Sequence, residues 1–372
     1  MKITRILSVL LLLTTLFVSC SEETEKKPSV PGKYSNSVYI LNEGPYGDPT
    51  ASSISVYNPV DQEVENQVFK TANKDIGSDG LILGNLPQSM TQEGELIHII
   101  VNGDNKIFTI NGKDARYYGK TTGVTSPRYM VTLPDHSAFV TSLGVTELTK
   151  VDLVQKEFDE GKVLDKIDLT NPDITKVKQH TTEQIIATGD QLFTNAWSYD
   201  NKILVIDPKT RMLTDSITVG IQPQSIALDK NKKLWVLCDG SWNGNPYATQ
   251  TAGSIYRIDT KTNKVEWSYQ FPTIGAQKKN LCINGSGDTL YFINKDVYRI
   301  KIDQTEPEKV IEAKAGQTFY GMGIDPKNGD IYIGDAIDYA QDGMVYRYNK
   351  NLESVDNFKV GILPNSFLFY YN

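Results

Sequence analysis

The 372-residue chain carries 38 Lys and Arg against 45 Asp and Glu, a formal charge of −7. That acidic balance excludes a protein whose affinity comes from the phosphate backbone of nucleic acids. With 39% hydrophobic and 22% charged residues the composition is globular, neither disordered nor that of a multi-span membrane protein, and the length permits one large β domain.

Residues 1–19 have the form of a signal peptide: Lys2 and Arg5 supply a positive start, and the run 6–18 is almost wholly apolar. That run suits a secretory leader and is short of the roughly 20 residues a spanning helix needs. Without the leader the charge becomes 36 − 45 = −9. The run ends at Phe17-Val18-Ser19-Cys20, which resembles the lipoprotein box of bacteria, with Cys20 acylated as the new first residue and stably anchored by its acyl chains. The alternative is an ordinary secretory signal with a coincidental cysteine. Residues 20–36 are polar, acidic behind Cys20, and broken by Pro28, Pro31 and Gly32, the composition of a tether. An acidic stretch at this place is similar to the surface-export signal of Bacteroidota lipoproteins; a plain soluble spacer is the other reading.

From residue 37 onward a repeat governs the chain. Pro87-Gln88-Ser89-Met90, Pro127-Arg128-Tyr129-Met130, Pro223-Gln224-Ser225-Ile226 and Pro364-Asn365-Ser366-Phe367 align, with degenerate copies at Thr182-Glu183-Gln184-Ile185, Lys279-Asn280-Leu281-Cys282 and Phe319-Tyr320-Gly321-Met322. The 277 residues from Pro87 to Pro364 then fall into six intervals of about 46, the spacing of four-stranded propeller blades. Each unit predicts a proline-led strand, a polar turn, an apolar strand (96–101, 138–141, 191–194, 234–237, 290–293, 331–333), a third alternating strand (202–207, 254–259) and a polar outer strand, with no stretch of helical period. The expectation is an all-β, seven-bladed propeller of four-stranded antiparallel blades spanning 37–372. Residues 37–69 lack a proline-led first strand, and 364–371 form one with nothing after it. Joined, they complete one blade from both chain ends and remove an exposed edge.

A polar residue recurs where the second strand ends: Asn42, Asn102, Ser142, Asn195, Asp239, Asn294 and Asp335. Such a ring satisfies backbone donors at the blade tips. It also marks a face on which the loops 43–49, 195–200, 239–247 and 335–342 differ sharply, the place where a shared scaffold acquires individual function. Tyr46, Trp197, Tyr199, Trp242, Asn243, Tyr247 and Tyr339 lie in these loops, and amphipathic rings with amide neighbours suit a large, partly apolar ligand; packing against neighbouring loops is the alternative. Trp235 and Trp267 fall inside strands as packing residues. The proline-led strands start at the same face, which aims Gln88, Arg128, Gln224, Asn280, Tyr320 and Asn365 into the mouth of the axial channel as a mostly neutral lining.

Catalytic signatures are missing. His98, His136 and His180 share no ligand spacing, no nucleotide-binding, metalloprotease or nucleophile-elbow motif occurs, and 325–330 reads as a hairpin turn and not a calcium loop. A spatially formed acid pair stays open. No metal, cofactor or catalytic residue is assigned. Cys238 and Cys282 either bridge adjacent blades or remain buried thiols, and the second is favoured because Cys282 takes the place of Ile226 in another repeat.

The unit Pro-x-Ser-Ile, Leu-Trp-Val, Ile-Asp-x-Lys-Thr resembles the YncE-like, YVTN-type seven-bladed propellers. The opening Val38-Tyr39-Ile40-Leu41-Asn42-Glu43-Gly44, with 99–107 and Ser126-Pro127-Arg128-Tyr129, is similar to the Bacteroidota branch that includes the BtuG surface lipoproteins. The resemblance covers the mature chain. It implies a non-enzymatic, lipid-anchored, surface-exposed outer-membrane protein that captures cobalamin or a related corrinoid and passes it to a TonB-dependent, BtuB-like transporter. The aromatics above would wall the macrocycle and the axial amides would bond its periphery. A glycan-binding or protein-docking propeller, and a propeller hydrolase or lyase, are the alternatives.

Overall fold

The computed structural model describes residues 32–77, 80–170, 181–198, 200–240, 251–275 and 277–371. Among them the chain forms twenty-eight strands and one α-helix, in repeating four-strand antiparallel meanders. The second strand of each meander and the third strand of several are buried on both faces, because neighbouring sheets cover them on either side. They therefore read as nearly continuous apolar runs, as in Leu96–Val101 and Lys202–Asp207. The outermost strands alternate instead, with one face wet, as in Asp159–Asp168 and Lys264–Gln270.

The strand Ser37–Asn42 pairs antiparallel with Ser53–Asn58 on one side and with Pro364–Tyr370 on the other, so both ends of the described chain share one sheet. Tyr370 is fully buried there and lies edge-on to Tyr39 at 6.0 Å between ring centroids. The innermost strands neighbour one another in cyclic order from Pro87–Glu93 through Phe319–Ile324 to Pro364–Tyr370 and back to the first.

Two expectations are corrected. The strands between Pro87 and Asp168 do not form two separate sheets: the two meanders fuse into one of eight strands, because Asp159–Gly161 run parallel to Gly119–Thr121 on the neighbouring outer strand. Six hydrogen-bonded sheets result. Two glycines permit this approach, since a Cβ on Gly119 would sit 2.5 Å from the Asp159 carbonyl oxygen and one on Gly161 2.0 Å from Thr121 Oγ1. The second correction is the helix Val68–Ala72, which buries Val68 and Phe69 against the first sheet. At five residues it is too short to leave a helical period in the sequence.

The core is a succession of layers between neighbouring sheets. In one of them Phe193, Ile203 and Val205 meet Ile226, Leu234 and Val236, each such side chain contributing about 1.5–3 kcal/mol on burial. The polar ring at the ends of the second strands ties these layers together. Asn102 Nδ2 donates to the Pro127 carbonyl at 3.0 Å and Asn195 Nδ2 to that of Pro223 at 2.6 Å, while Asp239 Oδ1 accepts the Lys278 N–H at 2.8 Å. Each bond reaches the first strand of the next meander. Trp235 and Trp267 pack together in the core, the Trp235 indole donating to Asp229 at 2.9 Å. Cys238 and Cys282 are free thiols.

Candidate functional site

Every first strand is irregular near its start, and the irregularity builds the site. Pairing skips Gln88 between Pro87 and Ser89, Arg128 and Tyr129 before Met130, Glu183 and Gln184 before Ile185, Gln224 before Ser225, Asn280 and Leu281 before Cys282, Tyr320 before Gly321, and Asn365 before Ser366. A bulge bends the strand and re-aims the unpaired side chain. Repeated around an axis, it turns one sequence position per repeat toward the same space. The residues just before four of the prolines, Leu86, Ser126, Gln222 and Leu363, all have φ between 40° and 59°, a left-handed turn into the strand that is unusual for such residues.

The cavity so formed measures about 670 Å³ including its open mouth, and is lined by Gln88, Arg128, Gln224, Asn280, Tyr320 and Asn365 together with Glu43, Tyr129, Glu183, Trp197, Gln277 and Lys279. The structure thus brings the six axial residues to one place and adds Trp197 from the end of the strand Gln191–Trp197. Tyr339 stands behind them, half-exposed and edge-on to Tyr320 at 5.9 Å. Tyr46 is 86% exposed and does not line the cavity. In its loop the Gly47 N–H donates to Asn85 Oδ1 at 3.1 Å. Tyr199, Trp242, Asn243, Tyr247 and the lipidation candidate Cys20 lie outside the described residues, as does His180.

The expected neutral lining is corrected: two acids and two bases stand in the wall. Arg128 donates through Nε and Nη2 to the two oxygens of Glu183 at 2.8 and 2.6 Å, and through Nη1 to Gln88 at 2.6 Å. Burial opposes the guanidinium charge, but the Glu183 carboxylate outweighs it and holds Arg128 above its ordinary pKa. Glu43 accepts from the Tyr320 hydroxyl at 2.6 Å and from Asn365 at 3.4 Å. Burial nevertheless raises its carboxyl above the usual range, the hydrogen bonds offsetting only part of that. Burial likewise pushes the Tyr129 phenol up to about 12 and brings the Lys279 ammonium down to about 8. The Lys279 Nζ lies over the Tyr320 ring, 4.4 Å from its centroid.

Sequence reasoning missed Glu43, Tyr129, Glu183, Gln277 and Lys279. Glu183 was legible, because it occupies in Thr182-Glu183-Gln184 the place of Gln88 and Arg128 in their repeats. The shift that hid Lys279 is one residue: pairing aligns Lys278, not Lys279, with Pro223, each facing the end of the neighbouring strand. The sequence marks the loop 43–49 but not Glu43 within it, which arrives just after the second strand of the sheet closed by the chain ends.

On other parts of the fold, His98 and His136 meet through Glu93, whose oxygens lie 3.2 Å from His98 Nε2 and 2.9 Å from His136 Nδ1. Among the described residues no group of three or more His, Cys, Asp or Glu stands where it could hold a metal ion. Asp325 accepts the N–H of Lys327 and the hydroxyl of Tyr371, and Asp330 accepts from Arg347, so this segment is a braced hairpin turn.

A family model described as a domain of unknown function (DUF5074) matches residues 36–369. No curated protein matches in sequence. Among solved structures, a quinonprotein alcohol dehydrogenase-like protein from Bacteroides thetaiotaomicron is similar over 91% of this chain and 79% of its own, with a TM-score of 0.68 and 12% identity. The periplasmic gluconolactonase of Pseudomonas aeruginosa covers 90% of this chain and 99% of its own (TM-score 0.63, 11% identity), and the hydrazine synthase of Kuenenia stuttgartiensis 75% and 88% (0.58, 14%). These likenesses establish a propeller-like all-β fold; enzymes occur among its bearers.

Proposed function

Because the chain belongs to the DUF5074 family, a domain of unknown function, its role has to be read from the site, and we propose that it is a ligand-capturing propeller that binds a corrinoid at the axial mouth. In this reading the eight-stranded sheet counts as two blades, giving seven. Residues 1–36 export the protein and anchor it by lipid at Cys20 in the outer membrane, facing the medium, and the ligand passes to a TonB-dependent transporter. The observation that carries the reading is the bulge repeated in every first strand, which spends seven equivalent positions on one polar cavity rather than on packing. Trp197, Tyr320 and, behind it, Tyr339 add aromatic surface at its edge. A macrocycle fringed with amides matches the amides, phenols and indole of a wall that also holds two acids and two bases, and its size suits the mouth better than the channel.

Calorimetry with cyanocobalamin tests this directly. Saturable binding that weakens on Trp197→Ala is the expected result; no heat and no co-elution at micromolar protein would overturn it. A second reading is hydrolysis, favoured by one observation: Glu43 and Glu183 share the cavity, and burial raises the Glu43 carboxyl while a phenol hydroxyl bonds to it at 2.6 Å. It predicts turnover of a sugar lactone that Glu43→Gln abolishes, and the capture reading predicts none.

A further inference from the structure

The polar groups of the cavity divide into two arcs. Along one arc the donors are spent on neighbouring groups: Arg128 on Glu183 and Gln88, the Tyr320 hydroxyl and Asn365 Nδ2 on Glu43, and Gln88 Nε2 on the Tyr129 hydroxyl at 3.4 Å, with the Asn365 oxygen the one buried acceptor left over there. Along the other the donors have no acceptor among the described residues. Among the described residues the Lys279 ammonium has no carboxylate at ion-pair distance, and it lies over the Tyr320 ring. The Gln224 side chain must present its oxygen to the Asn280 N–H, 3.2 Å away, which assigns its NH₂ to the free side. The Asn280 side-chain amide has no hydrogen-bond partner among the described residues, and the indole N–H of Trp197 is buried with no acceptor among them. These groups come from three consecutive meanders, on the strands Gln191–Trp197, Pro223–Leu228 and Lys278–Ile283. A buried donor without a partner, here the Trp197 indole, is costly and rare, and the other three face the open cavity, where a ligand can replace water. One cation and three N–H donors left open on one wall call for a single complement, an acceptor bearing negative charge.

We propose that the arc of Trp197, Gln224, Lys279 and Asn280 is a receptor for an oxyanion, a phosphate or carboxylate group carried by the ligand. The inference rests on the capture reading for the rest of the molecule bound, and it names which part of that molecule enters the cavity. Arg128 is not the anchor, because Glu183 already neutralises it. The groups facing Lys279 are the carboxylates of Glu43 and Asp239 and the phenol of Tyr320, with Lys278 beside it in the chain and the paired Arg128 across the cavity. With its ammonium brought down to about 8, Lys279 is charged at neutral pH and loses the proton just above it, so binding of an oxyanion is present at pH 7 and fades as the pH rises past 8. An exposed lysine would hold its charge, and the anion, to about pH 10.

The test uses the intact protein and inorganic phosphate followed by ³¹P NMR from pH 8 to 9.5, where phosphate is predominantly the dianion. The expected result is saturable binding that falls steadily over that range, weakens about tenfold or more in Lys279→Gln, and returns in Lys279→Arg with the pH dependence gone. Unchanged binding in Lys279→Gln, or no saturable binding by a wild type and variants of equal melting temperature, overturns the receptor. A second arm compares cyanocobalamin, which carries a phosphodiester, with a cobinamide, which lacks it. Preference for cyanocobalamin that Lys279→Gln removes assigns the arc to that group, and equal affinity for both overturns the assignment while leaving capture intact. Phosphate bound through Lys279 with neither corrinoid bound leaves the receptor standing and removes the capture reading.

Discussion

Breaking the pair of Arg128 and Glu183 is the sharpest test of how the site is built. Their side chains are 14% and 3% exposed and joined by two hydrogen bonds at 2.6 and 2.8 Å. Replacing Glu183 by Leu strands a guanidinium between Gln88 and the face of Trp197, 5.9 Å from its ring centroid. Replacing Arg128 by Met strands a carboxylate that is more deeply buried still. Each single change should cost about 3–5 kcal/mol, whereas the double variant, which leaves no unpaired charge, should lie near the wild type. At about 2.1 cal/mol/K per residue the folded unit has an unfolding entropy of roughly 0.7 kcal/mol/K, so about 4 kcal/mol lowers the melting temperature by about 6 °C. Differential scanning calorimetry on the four proteins gives the coupling directly. Two single variants each losing under about 1 kcal/mol, and adding in the double, would mean that water screens the pair and that the cavity is not the desolvated site described.

Three further outcomes are expected. Ending the chain at Leu363 removes the strand that pairs with Ser37–Asn42 and bares Tyr39 and Ile40; several buried side chains at about 1.5–3 kcal/mol each consume most of a typical domain's stability, so the truncated protein should lose cooperative unfolding, and an unchanged calorimetric peak would refute closure through the chain ends. The Cys238 and Cys282 thiols, pushed up to about 12 by burial, should resist Ellman's reagent at pH 8 until denaturant is added, since the thiolate is the reactive form; rapid labelling of the folded protein would contradict it. Bonding to His98, and then to His136, holds the Glu93 carboxyl below its ordinary 4.5. Its contribution is therefore complete above that value and lost as the pH falls through the lower folded value, so the gap in melting temperature between wild type and Glu93→Gln should close as the pH falls below 4.5, and a constant gap would refute the linkage.

Much of this architecture was legible before any coordinates. A 46-residue period, turn residues at fixed offsets and two-sided apolar runs are local properties, set by which residues tolerate a pleated, buried backbone. They located the first strands, the closing strand and six of the axial side chains, because one sequence position recurs in each repeat. What no local pattern carries is how repeats meet. The fusion of two meanders depends on two glycines 42 residues apart that let outer strands touch. The character of the cavity depends on charges delivered from different repeats: Glu43 reaches Tyr320 across 277 positions and Arg128 finds Glu183 across 55. Periodicity could say that a side chain faces the axis; only the packed structure decided which of those side chains satisfy one another and which are left open to a ligand, because pairing of charge and hydrogen bonds is settled by distance in space and not by spacing along the chain.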